Sequence, residues 1–156
     1  SIESYGESEL ELDLYAGYGF EAGGLAWDFG ALYYTYPGGY DVNYYELYGS
    51  LGATLGMVDA AFGVAYVPDQ DNSDDNTYVY ADGGMPLGDS AFSLSGPIGY
   101  TDGALDFSDD GDGFWDWSLG VSTSVAGVDV GLSYVDTSED GKGLDETAIL
   151  SFSKAL

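Results

Sequence analysis

Apolar and polar residues alternate with a period of two along almost the whole chain, and that pattern restricts it to β-strands. In the first segment Leu10, Leu12, Leu14, Ala16, Tyr18 and Phe20 share one face. Glu9, Glu11, Asp13, Tyr15, Gly17, Gly19 and Glu21 share the other. Trp27, Phe29, Ala31 and Tyr33 then oppose Asp28, Gly30, Leu32 and Tyr34. The same reading places Glu46, Asp59, Asp82, Asp116 and Asp129 on the polar side of later segments, facing away from Leu47, Phe62, Ala81, Trp117 and Val130. Nine strands are predicted, the last carrying Ala148, Leu150, Phe152 and Leu156. Pro97 weakens the sixth, because proline removes a ladder donor, and Ile149 departs from the alternation.

The connections alternate in length. Short ones fall near Ala22–Gly24, Gly56-Met57, Gly88-Asp89 and Ala126-Gly127, and longer ones near 37–41, 67–76, 101–113 and 135–145. Tight turns at one end of an antiparallel meander and long loops at the other are the asymmetry of outer-membrane barrels. Strands of roughly 10–13 residues exceed the 5–6 usual in soluble sheets and suit a tilted membrane span. The expected fold is therefore all-β, an antiparallel up-and-down meander β-barrel of the outer-membrane type, in one domain over residues 1–156.

One apolar face also fits a soluble sandwich, in which it becomes the core. Three features favour the barrel. The polar face is rich in Gly, Ala and Ser, which suit a concave lumen. Tyr33, Tyr34, Tyr36, Tyr44, Tyr45, Tyr66, Tyr78, Tyr100, Phe114, Trp115, Trp117 and Tyr134 cluster where strands meet long loops, as an interfacial girdle would. The chain also ends inside an alternating strand. Nine strands leave residues 1–8 on the long-loop side, whereas bacterial barrels have an even strand number. The chain accordingly reads as the C-terminal part of a longer barrel, with a short strand around Ile2 and Tyr5 as the alternative. It opens at Ser1 without Met or a recognisable leader, as a mature or truncated product would.

The stretches LELDLYAGYGFEAGGLAWDFGALYYTYPG (10–38), YYELYGSLGATLG (44–56), GVAYVPD (63–69), DWSLGVSTSVAGVDVGLSYVDT (116–137) and ILSFSKAL (149–156) resemble the TorF-type porins of Gram-negative bacteria. The resemblance is strongest over 10–48 and 114–156 and weak over 81–112. It implies an outer-membrane β-barrel with a pore, in a family whose members carry additional N-terminal strands. The terminal Leu156 stands where barrels usually have Phe, and Pro97 and the scarcity of basic residues are further departures.

Charge and composition narrow the chemistry. Twenty-eight Asp and Glu against 2 Lys and Arg give a net charge of −26, with no His and no Cys. Zinc fingers, disulfides, thiol chemistry and Ser-His or Cys-His pairs are excluded. Phosphate backbones would be repelled, so nucleic acid is not a partner. In a barrel Glu9, Glu11, Asp13, Glu21, Asp28, Glu46, Asp59, Asp82, Asp116 and Asp129 line the lumen without cationic counterweight, which predicts passage of small solutes with a preference for cations. Asp106, Ser108 and Asp110, followed by Gly111 and Asp112, match the first half of a calcium loop, and Asp136, Ser138, Asp140 and Gly141 repeat the spacing. The acid needed at the twelfth position is absent, Trp117 and Thr147 standing there, so weak Ca²⁺ association in the loops is the expectation rather than a closed site. Val135-Asp136-Thr137-Ser138 is a single, incomplete match to an aspartic-protease motif, and no residue set supports an enzyme. Lys154 suits an interfacial anchor. The competing reading is a soluble, highly acidic all-β binding domain, secreted or halophilic, stabilised by calcium.

Overall fold

The computed structural model describes residues 6–71, 73–106, 108, 111–140 and 144–154. Among them there is no helix, and ten antiparallel strands build one sheet. They are β1 (Leu12–Ala22), β2 (Leu25–Thr35), β3 (Tyr44–Leu55), β4 (Val58–Val67), β5 (Asn76–Pro86), β6 (Phe92–Ser95), β7 (Ile98–Gly103), β8 (Phe114–Val125), β9 (Val128–Thr137) and β10 (Thr147–Ser153). Each strand pairs with its sequence neighbours, except that β6 and β7 together fill one place between β5 and β8. Among the described residues β1 and β10 do not pair with each other.

The nine strands expected become ten because Gly96-Pro97 divides the sixth. The division does not shift the register. Gly84 pairs with Ser95 and Ala81 with Ile98, so residue numbers across the pair sum to 179 on both sides of the break. Gly96 N still donates to Gly83 O at 2.9 Å, and Ser118 N to Pro97 O at 3.0 Å. The reciprocal bond from the nitrogen of residue 97 to Ser118 O is missing, because proline has no N–H.

A second difference concerns Glu9 and Glu11. The alternation places them in the first strand, yet β1 opens at Leu12. The buried Ser8 hydroxyl lies between the carbonyls of Leu10 and Pro37, at 2.8 and 2.9 Å, and accepts from Leu10 N. These backbone groups are thus tied to a side chain instead of a ladder.

Hairpin turns match the short connections. Gly23 and Gly24 both have positive φ (66° and 78°), as do Ala126 and Gly127 (53° and 75°). Positive φ at both central positions matches the right-handed twist of the flanking strands.

The strands are strongly staggered. One row of paired residues runs Phe20, Trp27, Leu51, Phe62, Ala81, Ile98, Trp117, Asp136. It starts two residues from the short-turn end of β1 and reaches β9 one residue from its long-loop end.

Polarity and exposure are inverted. In β8, Trp115, Trp117, Leu119 and Val121 are exposed, while Phe114, Asp116, Ser118 and Gly120 between them are partly screened. In β4, Phe62, Val64 and Tyr66 are exposed, and Gly63 and Val67 are buried. No second layer covers either face, so the difference arises from curvature: the sheet curls toward its polar side. Tyr36 and Val67 are the buried apolar residues among those described. The accessible surface is 10348 Å² for 16.4 kDa, against about 7500 Å² for a globular monomer of that mass.

Replacing Pro97 by Val should restore the missing bond and join β6 to β7. The amide of residue 97 should then exchange slowly in a hydrogen-exchange measurement. The bond adds about 1 kcal/mol, partly offset by the freer unfolded chain. Fast exchange at that amide would show that the division has another cause.

Candidate functional site

The concave face is the one surface on which polar side chains from every strand position converge. Register places eight predicted acids there: Asp13, Glu21, Asp28, Glu46, Asp59, Asp82, Asp116 and Asp129. One row on this face runs Gly19, Asp28, Ser50, Gly63, Tyr80, Gly99, Asp116, Thr137. Asp13, Glu46 and Asp116 sit within three residues of a strand's long-loop end. Glu21, Asp59 and Asp129 sit within two residues of the short-turn end. Asp28 and Asp82 lie further in. The acids therefore form two bands near the rims, with Gly, Ala, Ser and Tyr dominating between them. Asp28, Glu46 and Asp116 are half-buried and the other five exposed. Glu9 and Glu11 precede β1. Glu11 extends the long-loop band by accepting the Tyr36 hydroxyl at 2.6 Å. Burial, and then that bond to a carboxylate, hold the Tyr36 phenol above its ordinary pKa.

Tyrosines supply what the acids leave open, and here the girdle assignment needs correction. Tyr34, Tyr44, Tyr78 and Phe114 have the parity of the acids and face the concave side. A two-residue period permits only alternate residues of a strand to reach the outer surface. The outward residues of the group are Tyr33, Tyr45, Tyr66, Tyr100, Trp115, Trp117 and Tyr134, with Tyr100 against Trp115 at 5.0 Å and Trp117 against Tyr134 at 5.5 Å. A second outer patch, Tyr18, Phe20, Trp27 and Phe29, stacks on β1 and β2.

Inside, the rings lie on glycines of neighbouring strands. A Cβ on Gly30 would fall 2.5 Å from Cζ and 2.6 Å from Cε1 of Tyr48. The nearest atoms of Tyr48 belong to its hydroxyl end, so that end of the ring occupies the space a side chain at residue 30 would need. Tyr80 covers Gly63, and Tyr78 covers Gly99. Tyr78 reaches across β7 and donates its hydroxyl to Asp116 Oδ1 on β8 at 3.1 Å. Tyr34 stacks on Tyr44 at 4.6 Å near the long-loop rim. Parity alone could have assigned these rings to the polar face, but the tyrosine–glycine overlap depends on which strands pair.

Polar side chains tie the loops to this wall. Gln70 exchanges two bonds with the Tyr45 backbone, at 3.1 and 3.2 Å, and so extends the β3 ladder. Buried Asn76 reaches Thr101 Oγ1 at 3.4 Å and accepts from Leu105 N at 3.0 Å.

The calcium half-loops are engaged otherwise. Asp106 accepts from Ser108 N (2.8 Å), Ser108 Oγ (2.9 Å) and Gly113 N (2.9 Å). Ser138 is joined to Trp115 through Ser138 N to Trp115 O (2.8 Å) and Trp115 N to Ser138 Oγ (3.0 Å). Asp136 accepts from Thr137 N at 2.9 Å, Asp112 O accepts from the Tyr100 hydroxyl, and Asp140 is exposed. Asp110 and Gly141 lie outside the described residues, as do Ile2, Tyr5, Lys142 and Leu156. Among the described residues no group of three or more His, Cys, Asp or Glu is placed to hold a metal ion.

The Ser108 amide, the Ser108 hydroxyl and the Gly113 amide hold the Asp106 carboxyl below its ordinary pKa. A depressed folded pKa stabilises the loop above the unfolded value of about 3.9, and that contribution is lost as pH falls through the folded value. An acid titration by NMR should therefore move the Ser108 and Gly113 amides together below the usual carboxylate range. Asp106→Asn should remove that step, and independent movement of the two amides would refute the bonding scheme.

No curated protein and no solved structure matches the chain. The family model Gcw_chp, described as a bacterial protein of unknown function, matches residues 1–153. An inside-out, all-β sheet with an acidic, tyrosine-rich concave face is thus the form of a chain that belongs to the Gcw_chp family.

Proposed function

We infer that the chain forms the wall of a bacterial outer-membrane β-barrel of the TorF porin type, and that it passes small solutes and cations through an acidic lumen. One observation carries this reading: large apolar side chains stand exposed on the outer face of every strand but β5, with β1 and β10 exposed on both faces. Among the described residues twenty-nine large hydrophobics are exposed, most of them on that face, far more apolar surface than a soluble monomer shows. Hydrocarbon is the environment in which such a face gains rather than costs free energy.

Dimensions agree. Strands of 10–12 residues (β1 to β5, β8 and β9) rise about 33–41 Å. At a tilt of 35–45° they cross roughly 25–30 Å, the height of the apolar band. The one-way stagger of the rows is the shear that closing a sheet demands. β1 and β10 both run from the long-loop side to the short-turn side, so antiparallel closure takes an odd number of strands between them. Outward Tyr and Trp at the long-loop end suit the headgroup level, and exposed Lys154 suits the opposite interface. Among the described residues no helix is long and apolar enough to cross a membrane, and a barrel crosses with strands instead. The concave carboxylates attract cations and repel anions, and no catalytic role is assigned to any of them.

Size-exclusion chromatography and circular dichroism with and without mild detergent test the reading. Ordered β structure should form in detergent or lipid only. In planar bilayers under a salt gradient, the reversal potential should lie on the cation side and move toward zero in Asp28→Asn/Asp116→Asn. A folded monomer in plain buffer would overturn the reading and favour the acidic binding domain.

A further inference from the structure

The tyrosines of the concave face have no role in a purely electrostatic lumen, yet they are its most constrained side chains. Tyr48 lies over Gly30 and reaches Gly17, Tyr80 lies over Gly63, and Tyr78 over Gly99. A side chain at any of these glycines would displace the ring. The hydroxyl ends of the rings lie against the backbone of neighbouring strands, and Tyr78 and Tyr80 stack on each other with centroids 5.8 Å apart, so these rings put aromatic surface on the concave face. Asp28, Ser50, Tyr80 and Asp116 share one row, and Tyr48 and Tyr78 share the next. Among the described residues no Lys or Arg lies on this face.

We propose that this middle zone binds compact organic cations, amines of the quaternary or methylated ammonium class, on the faces of Tyr48, Tyr78 and Tyr80. The inference rests on the lumen reading above and names the substrate class of that same face. A ring face carries the negative end of the aromatic quadrupole and attracts a cation within about 6 Å of its centroid. A strongly hydrated inorganic ion gains less from a ring, because it must shed water to touch it. An organic ammonium presents weakly hydrated methyl groups and meets the ring directly. Their seating beside glycines of neighbouring strands fixes the rings in place, so little side-chain entropy is lost on binding. Carboxylates at both rims raise the local concentration of any cation, and the rings then distinguish organic cations from inorganic ones.

The test uses choline and its uncharged isostere 3,3-dimethylbutan-1-ol, titrated into the detergent-folded chain at constant ionic strength. Binding is followed by the aromatic proton shifts of the tyrosines. Choline should bind saturably and at least about ten-fold more tightly than the alcohol, and potassium should compete poorly. Tyr48→Leu and Tyr80→Leu should each weaken choline about two- to five-fold, the loss of one exposed cation–ring contact. Tyr80→Phe should bind normally, since the face remains. Gly63→Ala should weaken binding by lifting the Tyr80 ring. Equal affinity for the alcohol would overturn the proposal, as would unchanged binding in the Leu variants or full competition by potassium. Should a Leu variant fail to fold, the alcohol and potassium comparisons on the unaltered chain decide alone. The two readings fail separately. A conducting chain indifferent to choline sinks this proposal alone. A chain that folds in plain buffer and still binds choline through its rings sinks the porin reading alone.

Discussion

Everything in this molecule depends on an unbroken ladder register. Side chains alternate with a period of two, so a slip of one residue would exchange the two faces. Across all strand pairs the register contains no bulge, and even the Gly96-Pro97 break preserves it. One parity therefore runs from β1 to β10. That continuity lets Leu, Val, Phe and Trp dominate one side while Asp, Ser, Gly and Tyr collect on the other, with Leu32, Phe114 and Val135 as inward exceptions. A soluble sandwich needs the same alternation, but it hides the apolar side. Here the apolar side is open and the sheet bends away from it.

The bend is accommodated by pairing large residues with none. Side chains converge on the inner side of a curved sheet, so bulk there must be distributed across strands. Tyr48, Tyr78 and Tyr80 are the bulk, and Gly30, Gly99 and Gly63 are the room made for it. The high content of both residue types, 25 Gly and 15 Tyr, thus has one geometrical cause on this face. Gly30, Gly63 and Gly99 each stand where a tyrosine of a neighbouring strand arrives.

The period-two pattern made nearly all of the strand sequence and both kinds of connection legible in advance. Parity likewise placed Asp13, Glu21, Asp28, Glu46, Asp59, Asp82, Asp116 and Asp129 on one face. Three things escaped. Glu9 and Glu11 continue the alternation yet lie outside β1, because the Ser8 hydroxyl holds their neighbours' backbone groups. Proximity to loops grouped inward Tyr34, Tyr44 and Tyr78 with outward Tyr33, Tyr45 and Trp115, although residue parity separates them. The D-x-S-x-D spacing in the loops resembles a calcium half-site, but Asp106 turns its oxygens to Ser108 and Gly113. Short-range oxygen donors organise loops as readily as they hold ions, and spacing alone does not tell the two apart.

The placement of charge on the concave face follows from solvation. Asp13, Glu21, Asp59 and Asp129 stand exposed near the rims, where a carboxylate keeps most of its water. Where the wall screens it, even near a rim, a carboxylate needs a protein donor in place of water. Asp116 has one, the Tyr78 hydroxyl brought across β7 over Gly99. Tyrosine suits the positions between because its ring tolerates dehydration and its hydroxyl can satisfy an acid on another strand. The same residue therefore fills the curve and anchors a carboxylate, which lets Gly, Ser and Tyr occupy the middle of the wall, where an unpaired charge is most costly.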